Sequence, residues 1–194
     1  MIANQNSSMN PQHLTDRVGV LLYDSSVEVD RIFAEAVGLL QALDVQVGGV
    51  LQFFGERLAN GKRSMWVEDI GSGTLIRLDH PRGPGAVACM LDPDALARTA
   101  CMLQAALERK PQLVVVSRFG NAEADGRGLR TELAEAICSG APVLVAVKFS
   151  LLNDLEGFLG CAAHLLLPSV PAIVGWAENI VAKTASLSAA VSAV

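Results

Sequence analysis

Short apolar runs that alternate with helix-periodic segments are the feature that most limits the folds open to this chain. Residues 17–23, 113–116 and 142–147 are almost wholly apolar, which is typical of strands buried on both faces of a sheet. Between them, segments 29–43 and 92–110 repeat apolar residues at the spacing of one helical face. This alternation predicts an α/β fold with a mainly parallel sheet and helices on both faces.

The domain organisation follows from the same pattern. A strand is predicted at 45–52. Two short strands follow at 64–70 and 74–79, joined by a Gly-Ser-Gly turn into an antiparallel hairpin near 64–79 that adds to the sheet. Residues 1–16, rich in Asn, Ser and Gln, are predicted to be a flexible tail. Residues 17–194 are predicted to be a single α/β domain, because 51% hydrophobic content supplies one large core.

The composition argues against two classes of partner. The chain has 15 Lys and Arg against 20 Asp and Glu, whereas non-specific nucleic-acid binding needs a basic face. It contains no apolar run of the roughly 18 residues that a membrane-spanning helix requires, and no secretory signal pattern. We therefore expect a cytoplasmic protein that binds no nucleic acid and has no membrane span, and its high apolar content favours a homo-oligomer.

A group of basic residues and glycines is predicted at the carboxyl ends of the parallel strands, the edge where such sheets bind ligands. Guanidinium groups bind tetrahedral oxyanions through paired hydrogen bonds, and glycines let backbone amides approach closely. Surface salt bridges to nearby acidic residues are the alternative interpretation. The predicted ligand-binding residues are Arg82, Gly83, Gly85, Arg118, Gly120, Arg127 and Lys148.

An acidic group is predicted at the same edge, with Asp24, Glu28 and Asp30 after the first strand and Glu123 after a later one. Carboxylate oxygens suit a hard cation such as Mg²⁺, which makes Asp24 and Glu123 the candidate metal ligands. Helix capping and solvation account for the same residues without a metal. The first helix is predicted to be capped by Ser25 or Ser26.

The order of several short motifs resembles a known superfamily. These motifs are a Gly-Gly pair at 48–49, Gly-Lys-Arg at 61–63, and strand 110–116 leading into Phe-Gly at 119–120. Together they are similar to bacterial nucleoside triphosphatases of the P-loop class. A closer resemblance is to an uncharacterised bacterial family labelled molybdenum-transport ATP-binding-like, spanning about residues 17–176. Its most distinctive matches are Gly83-Pro84-Gly85, Cys89, Leu91-Asp92-Pro93, Arg118-Phe119-Gly120, Glu123 and Gly126.

The resemblance implies the fold of these proteins and a nucleotide or oxyanion such as molybdate or phosphate as ligand. It does not imply their reaction, because the chain lacks the Walker A Gly-rich loop with Lys-Ser/Thr. Ser117 and Arg118 also stand where the resemblance would place the acids that hold magnesium and activate water. We therefore expect a non-hydrolysing binding protein for a small anion. A metal-dependent nucleotide-processing enzyme with a remodelled site, and an oligomeric scaffold with a vestigial site, are the alternatives.

Overall fold

The apolar runs become neighbouring strands of one sheet, as their composition predicts. A computed structural model of the chain describes residues 16–58, 61, 63–79 and 91–192. The strands in these ranges are β1 (Val18–Tyr23), β2 (Val47–Arg57), β3 (Arg63–Asp69), β4 (Leu75–Arg77), β5 (Leu113–Phe119), β6 (Val143–Lys148) and β7 (His164–Leu166). The helices are α1 (Val29–Ala42), α2 (Pro93–Glu108), α3 (Asn121–Ala124), α4 (Arg130–Cys138), α5 (Leu152–Leu159) and α6 (Val170–Ser192), and a short 3₁₀ turn (Phe149–Leu151) precedes α5.

The described strands pair in the order β4-β3-β2-β5-β6-β1-β7. Five neighbouring strands of this order run parallel to one another: β2, β5, β6, β1 and β7. Strand β3 is antiparallel to β2, and β4 is antiparallel to β3. The prediction of a mainly parallel α/β sheet with an antiparallel addition is confirmed. Tyr23 pairs with Lys148, and Phe119 pairs with Val147. The carboxyl ends of β1, β5 and β6 therefore meet at one edge of the sheet.

The antiparallel region differs from the prediction in its boundaries. Strand β2 continues to Arg57, beyond the expected end near 52, because Phe53 and Phe54 pair with Trp66 and Met65 of β3. The last strand of the hairpin is shorter than predicted and covers only Leu75–Arg77. The longer β2 carries aromatic side chains past the end of the parallel part of the sheet.

Two apolar layers cover the two faces of the sheet. Helices α2, α4 and α5 pack on one face, with Leu103, Leu133 and Leu155 fully buried in that layer. Helices α1 and α6 pack on the other, where Phe33 and Ile173 are fully buried. Loss of water from this apolar surface is the main force that holds the elements together. Helices on both faces confirm the two-sided arrangement.

Local sequence signals explain where some elements begin and how closely strands approach. Asp92 caps α2 by accepting a hydrogen bond from the Asp94 amide at 2.9 Å, and Pro93 occupies the first helical turn. Gly49 in β2 has a φ of 109°, and a Cβ there would overlap the backbone of Val115 in β5. Glycine is therefore required for the β2–β5 contact.

The edge strand β7 and its exit carry exposed apolar side chains. Leu165 is 49% exposed and Leu167 is 74% exposed. Such residues at a sheet edge favour self-association, which stays a prediction. None of the helices in the described ranges combines the length and apolar character that crossing a membrane requires.

Candidate functional site

A cavity of about 440 Å³ opens at the carboxyl edge of the sheet, on the face covered by α2, α4 and α5. Its size falls within the range of about 300 to 1,000 Å³ that is usual for small-molecule sites. Val50, Val67 and Val116 contribute an aliphatic floor. Polar and charged side chains join this floor from the strand ends, so the cavity combines an apolar interior with charged groups. The polar and charged lining residues are Tyr23, Gln52, Asp79, Ser117, Arg118, Asn121, Glu123 and Lys148.

An irregularity near the end of β5 explains why consecutive residues of one strand line the same cavity. Val116 pairs with Val145 of β6, but Phe119 pairs with Val147, so β5 has one extra residue between the two pairs. A bulge of this kind interrupts the alternation of side chains between the two faces. Ser117, Arg118 and Phe119 therefore all contribute to the lining.

Arg118 is the most heavily contacted charged group of the site. Its Nη1 donates to the Tyr23 hydroxyl at 2.8 Å, and its Nη2 forms an ion pair with Asp30. The guanidinium carbon lies 5.2 Å from the Tyr23 ring centre and 5.6 Å from that of Phe54. Only 16% of the side chain is exposed. A cation this buried needs such partners, because they replace part of its lost hydration.

One nitrogen of Arg118 differs from the others. Its Nε is buried and has no hydrogen-bond partner among the described residues. A buried donor without an acceptor costs free energy, and functional sites are among the places where such donors occur. Arg118, which lines the cavity, therefore has one hydrogen-bond donor that no described residue uses.

Glu123 stabilises the loop after β5, which forms one wall of the cavity. Its Oε2 accepts from the Gly120 amide and its Oε1 from the Leu129 amide, both at 2.9 Å. Arg130 donates to the Glu123 carbonyl at 2.8 Å and lies over the Phe158 ring, 4.5 Å from its centre. These contacts fix the loop between β5 and α4.

Asp79 is a second lining carboxylate that is held within the protein. It accepts from the Met65 amide at 2.8 Å and from Arg77 Nη2 at 2.9 Å. Burial alone would raise the pKa of this carboxyl, but the hydrogen bond from Arg77, the Met65 amide and the charge of Arg77 outweigh it. The net result is a pKa below the ordinary value of 3.8. Asp79 is therefore a charged group that is already compensated.

The β1–α1 turn does not fit the triphosphate that the superfamily resemblance implies. A triphosphate cradle needs free backbone amides. Here Asp24 Oδ1 accepts from the Ser26 amide at 2.8 Å and from the Ser26 hydroxyl, bonds that lower the pKa of Asp24. Helix α1 is preceded by Glu28, which makes no side-chain cap bond, so the prediction that Ser25 or Ser26 caps it is wrong. This turn presents carboxylates where phosphate groups would need donors.

The structure brings some of the predicted residues together and separates others. Arg118, Gly120, Lys148 and Glu123 all line the cavity. Arg127 lies apart from it, with 74% of its side chain exposed and an ion pair to Asp125 at 3.0 Å. Three further predicted residues lie outside the described part of the chain: Arg82, Gly83 and Gly85.

The predicted metal ligands have other partners. Asp24 is bonded to Ser26, and both oxygens of Glu123 accept backbone amides. In the ranges that the structure describes, no three His, Cys, Asp or Glu side chains are grouped so that they could hold a metal ion. The metal assignment stays a prediction.

Two contributions to the site were not recognised from the sequence. Phe54 lies beyond the predicted end of β2, although the pair Phe53-Phe54 signals that the strand continues. Asp30 was grouped with the acidic residues of its own turn rather than with Arg118. The two residues are 88 positions apart, and no local pattern links them.

Comparison with protein families shows where the chain belongs. The model of a family described as protein of unknown function (DUF2478) matches residues 18–176. The chain belongs to this family. The match spans β1 through the first part of α6 and therefore includes every described residue that lines the cavity.

One curated relative is similar in sequence. The chain is 32% identical over 161 residues to a Bradyrhizobium diazoefficiens protein named "Molybdenum import ATP-binding protein ModC 2". The aligned region covers 83% of this chain but only 18% of that protein. The chain thus spans less than a fifth of the length of the curated relative that it matches.

One solved structure is similar in fold. It is described as the solution structure of a human cancer-related nucleoside triphosphatase, with a TM-score of 0.55 and 16% sequence identity. The match covers 90% of this chain and 97% of the human protein. The chain therefore shares the fold of that nucleoside triphosphatase, which confirms the fold that the sequence motifs predict.

Proposed function

We propose that this DUF2478 protein binds a small anionic ligand in the cavity at the carboxyl edge of the sheet, without hydrolysing it. The observation that carries the proposal is the placement of Arg118, a largely buried guanidinium that lines the cavity and whose Nε has no partner among the described residues. Guanidinium groups recognise oxyanions through parallel N–H···O bonds. Arg118 is thus the group expected to receive the negative charge of the ligand.

The charges around the cavity favour an anion. Lys148 lies at the end of β6 and lines the same space as Arg118. The two lining carboxylates are already compensated, Asp79 by Arg77 and Glu123 by two backbone amides. The two cations are therefore opposed mainly by Asp30, which pairs with Arg118.

The apolar floor favours a ligand with more than an oxyanion. Val50, Val67 and Val116 offer no hydrogen bonds, and an inorganic ion would leave this surface uncovered. A nucleotide-like molecule would cover it with its ring system and place its phosphate at Arg118. The similarity to a protein named for molybdenum import and ATP binding supports either a nucleotide or molybdate as the ligand class.

Binding without hydrolysis is proposed from the donor groups of the β1–α1 turn. The Ser26 amide is bonded to Asp24, and the Asp24 carboxylate itself adds negative charge to the turn, whereas Glu28 and Asp30 are paired with Arg31 and Arg118. Like charges about 4 Å apart repel by about 4 kcal/mol at an effective dielectric constant near 20. A triphosphate in this turn would be opposed by that repulsion. We expect no phosphate release from ATP with Mg²⁺ present.

The test is calorimetric titration and thermal unfolding with AMP, molybdate and phosphate. Arg118→Gln should weaken binding about tenfold or more, because charge-assisted hydrogen bonds are lost. Arg118→Lys, which keeps the charge but not the planar fork, should also weaken it and guards against misfolding of the first variant. Arg127→Gln is the matched control, because Arg127 is exposed and outside the cavity. Equal binding by all four proteins would contradict the proposal.

A further inference from the structure

We infer that Asp30 is a specificity-determining residue of this site, because it competes with the ligand for Arg118. The inference rests on the proposed function, in which Arg118 receives the anionic group. The Asp30 carboxylate would occupy Arg118 in place of a ligand, and inorganic oxyanions such as phosphate would displace it from Arg118 poorly. A ligand that also covers the apolar floor would displace it more readily.

The contacts of Arg118 show why Asp30 stands in the way. An oxyanion that binds a guanidinium with two parallel bonds uses two neighbouring N–H groups. The edge formed by Nε and Nη2 has one donor without a partner among the described residues, the buried Nε, whereas Nη2 is paired with Asp30. The other edge includes Nη1, which donates to the Tyr23 hydroxyl. Nη2 carries two N–H groups, so an oxyanion bound to the Nε edge would share Nη2 with Asp30, and repulsion between the two anions favours release of Asp30.

Asp30 has alternative surroundings after such an exchange. It lies in the first turn of α1, where the positive end of the helix dipole favours a carboxylate. Its side chain is 25% exposed, so water can reach it. The Asp30 carboxylate can therefore leave Nη2 without becoming a buried, unpaired charge.

The neighbouring carboxylates do not contact Arg118 in the same way. Asp24 bonds to Ser26, and Glu28 pairs with Arg31 at 3.0 Å. Both are exposed residues of the same turn. They carry the same charge as Asp30 without touching the guanidinium, which separates direct competition from a general effect of negative charge.

The experiment compares Asp30→Asn with Asp24→Asn and Glu28→Gln, each of which removes one negative charge. Phosphate and molybdate are titrated into each variant and into the unaltered protein. Asp30→Asn should bind both ions about tenfold or more tightly than the unaltered protein, as expected when a charge-assisted hydrogen bond no longer competes. The two control variants should change the affinity much less.

Tyr23 provides a direct reporter of Arg118. It is the only tyrosine of the chain, so labelling with 3-fluorotyrosine gives a single ¹⁹F resonance. Its hydroxyl accepts a bond from Arg118 Nη1 and its ring faces the guanidinium. Phosphate binding to Asp30→Asn should shift this resonance. In the unaltered protein the shift should need at least about tenfold more phosphate than AMP, a comparison that requires no variant.

The outcomes distinguish the inference from the proposed function. If Asp30→Asn binds phosphate and molybdate no better than Asp24→Asn, or if phosphate and AMP shift Tyr23 equally well in the unaltered protein, the inference is overturned. That result would leave the proposed function intact if Arg118→Gln weakens AMP binding about tenfold or more. If Asp30→Asn gains phosphate binding while the unaltered protein binds none of the probes, the competition by Asp30 is supported and the proposed function fails.

Discussion

The loops that follow β1 and β5 end at the same edge of the sheet and use carboxylates in opposite ways. After β5, both oxygens of Glu123 accept backbone amides, and the loop closes around its own side chain. After β1, Asp30 reaches across the edge to a side-chain cation, Arg118. The first carboxylate fixes the backbone of its own loop, whereas the second links two elements that are distant in sequence.

The difference indicates which region is structural and which can respond to a ligand. A backbone amide cannot move away without unfolding the loop, so the hydrogen bonds of Glu123 remain as long as the β5–α4 loop is folded. A guanidinium has several donors and can exchange one anion for another. We therefore assign the rigid wall of the cavity to the β5–α4 loop and ligand exchange to the contact between β5 and α1.

The largest expected effect is a loss of stability from a substitution in the β5–α4 loop. Gly128 has a φ of 65°, and a Cβ there would overlap the Glu123 carboxylate, so Gly128→Ala should lower the free energy of unfolding by about 2 to 4 kcal/mol. Gly126 has a φ of 79°, but a Cβ added there would have no neighbouring atom within 4 Å. Gly126→Ala should therefore cost only about 1 kcal/mol. Equal losses in urea unfolding would show that Glu123 can move aside.

A smaller effect is expected when the carboxylate itself is changed. Glu123→Gln keeps the shape but turns one acceptor into a donor facing a backbone amide, which should cost about 1 to 3 kcal/mol in urea unfolding. Glu135→Gln, at an exposed position of α4, is the control and should change stability little. An unchanged stability for Glu123→Gln would mean that water satisfies these amides as well as the carboxylate does.

The smallest effect is expected at Asp79. Like Glu123 it accepts a hydrogen bond from a backbone amide, and like Asp30 it pairs with an arginine. Its pKa is lowered in the folded protein, so its contribution to stability is complete above its unfolded pKa, ordinarily 3.8. That contribution is lost as the pH falls through the lower folded value. Between about pH 5 and about pH 3, Asp79→Asn should lose stability less steeply than the unaltered protein.

Asp125→Asn is the control for this measurement, since 61% of the Asp125 side chain is exposed and its partner Arg127 lies at the surface. Its profile of unfolding free energy against pH should follow that of the unaltered protein. If the Asp79→Asn profile also runs parallel to that of the unaltered protein, Asp79 does not contribute to the loss of stability at low pH.

Local patterns were sufficient for much of the fold. The apolar periodicity of α1, the helical segment that begins near residue 92 and the apolar run of β5 each depend on neighbouring residues, and each was predicted. The end of β2 was missed, because Phe53 and Phe54 extend the strand by pairing with β3. A partner strand decides such a boundary, and the partner is not visible in the segment itself.

The candidate site was predictable only in part, for the same reason. The rule that ligands bind at the carboxyl ends of parallel strands selected Arg118 and Lys148, which both line the cavity. It also selected Arg127, which has an exposed partner two residues away in Asp125. The rule locates an edge, but it does not tell which side chains at that edge face the same space.

The order of apolar and polar residues by itself determined that this chain forms a two-sided α/β sheet, since burial of apolar surface follows directly from that order. Only the tertiary structure decided that Arg118 meets Asp30, Tyr23 and Phe54 beside a cavity. Those contacts join three separate strands or helices to β5, at the point where β5 has an extra residue in its pairing with β6. Side-chain direction at a bulge is set by the neighbouring strand rather than by local preference.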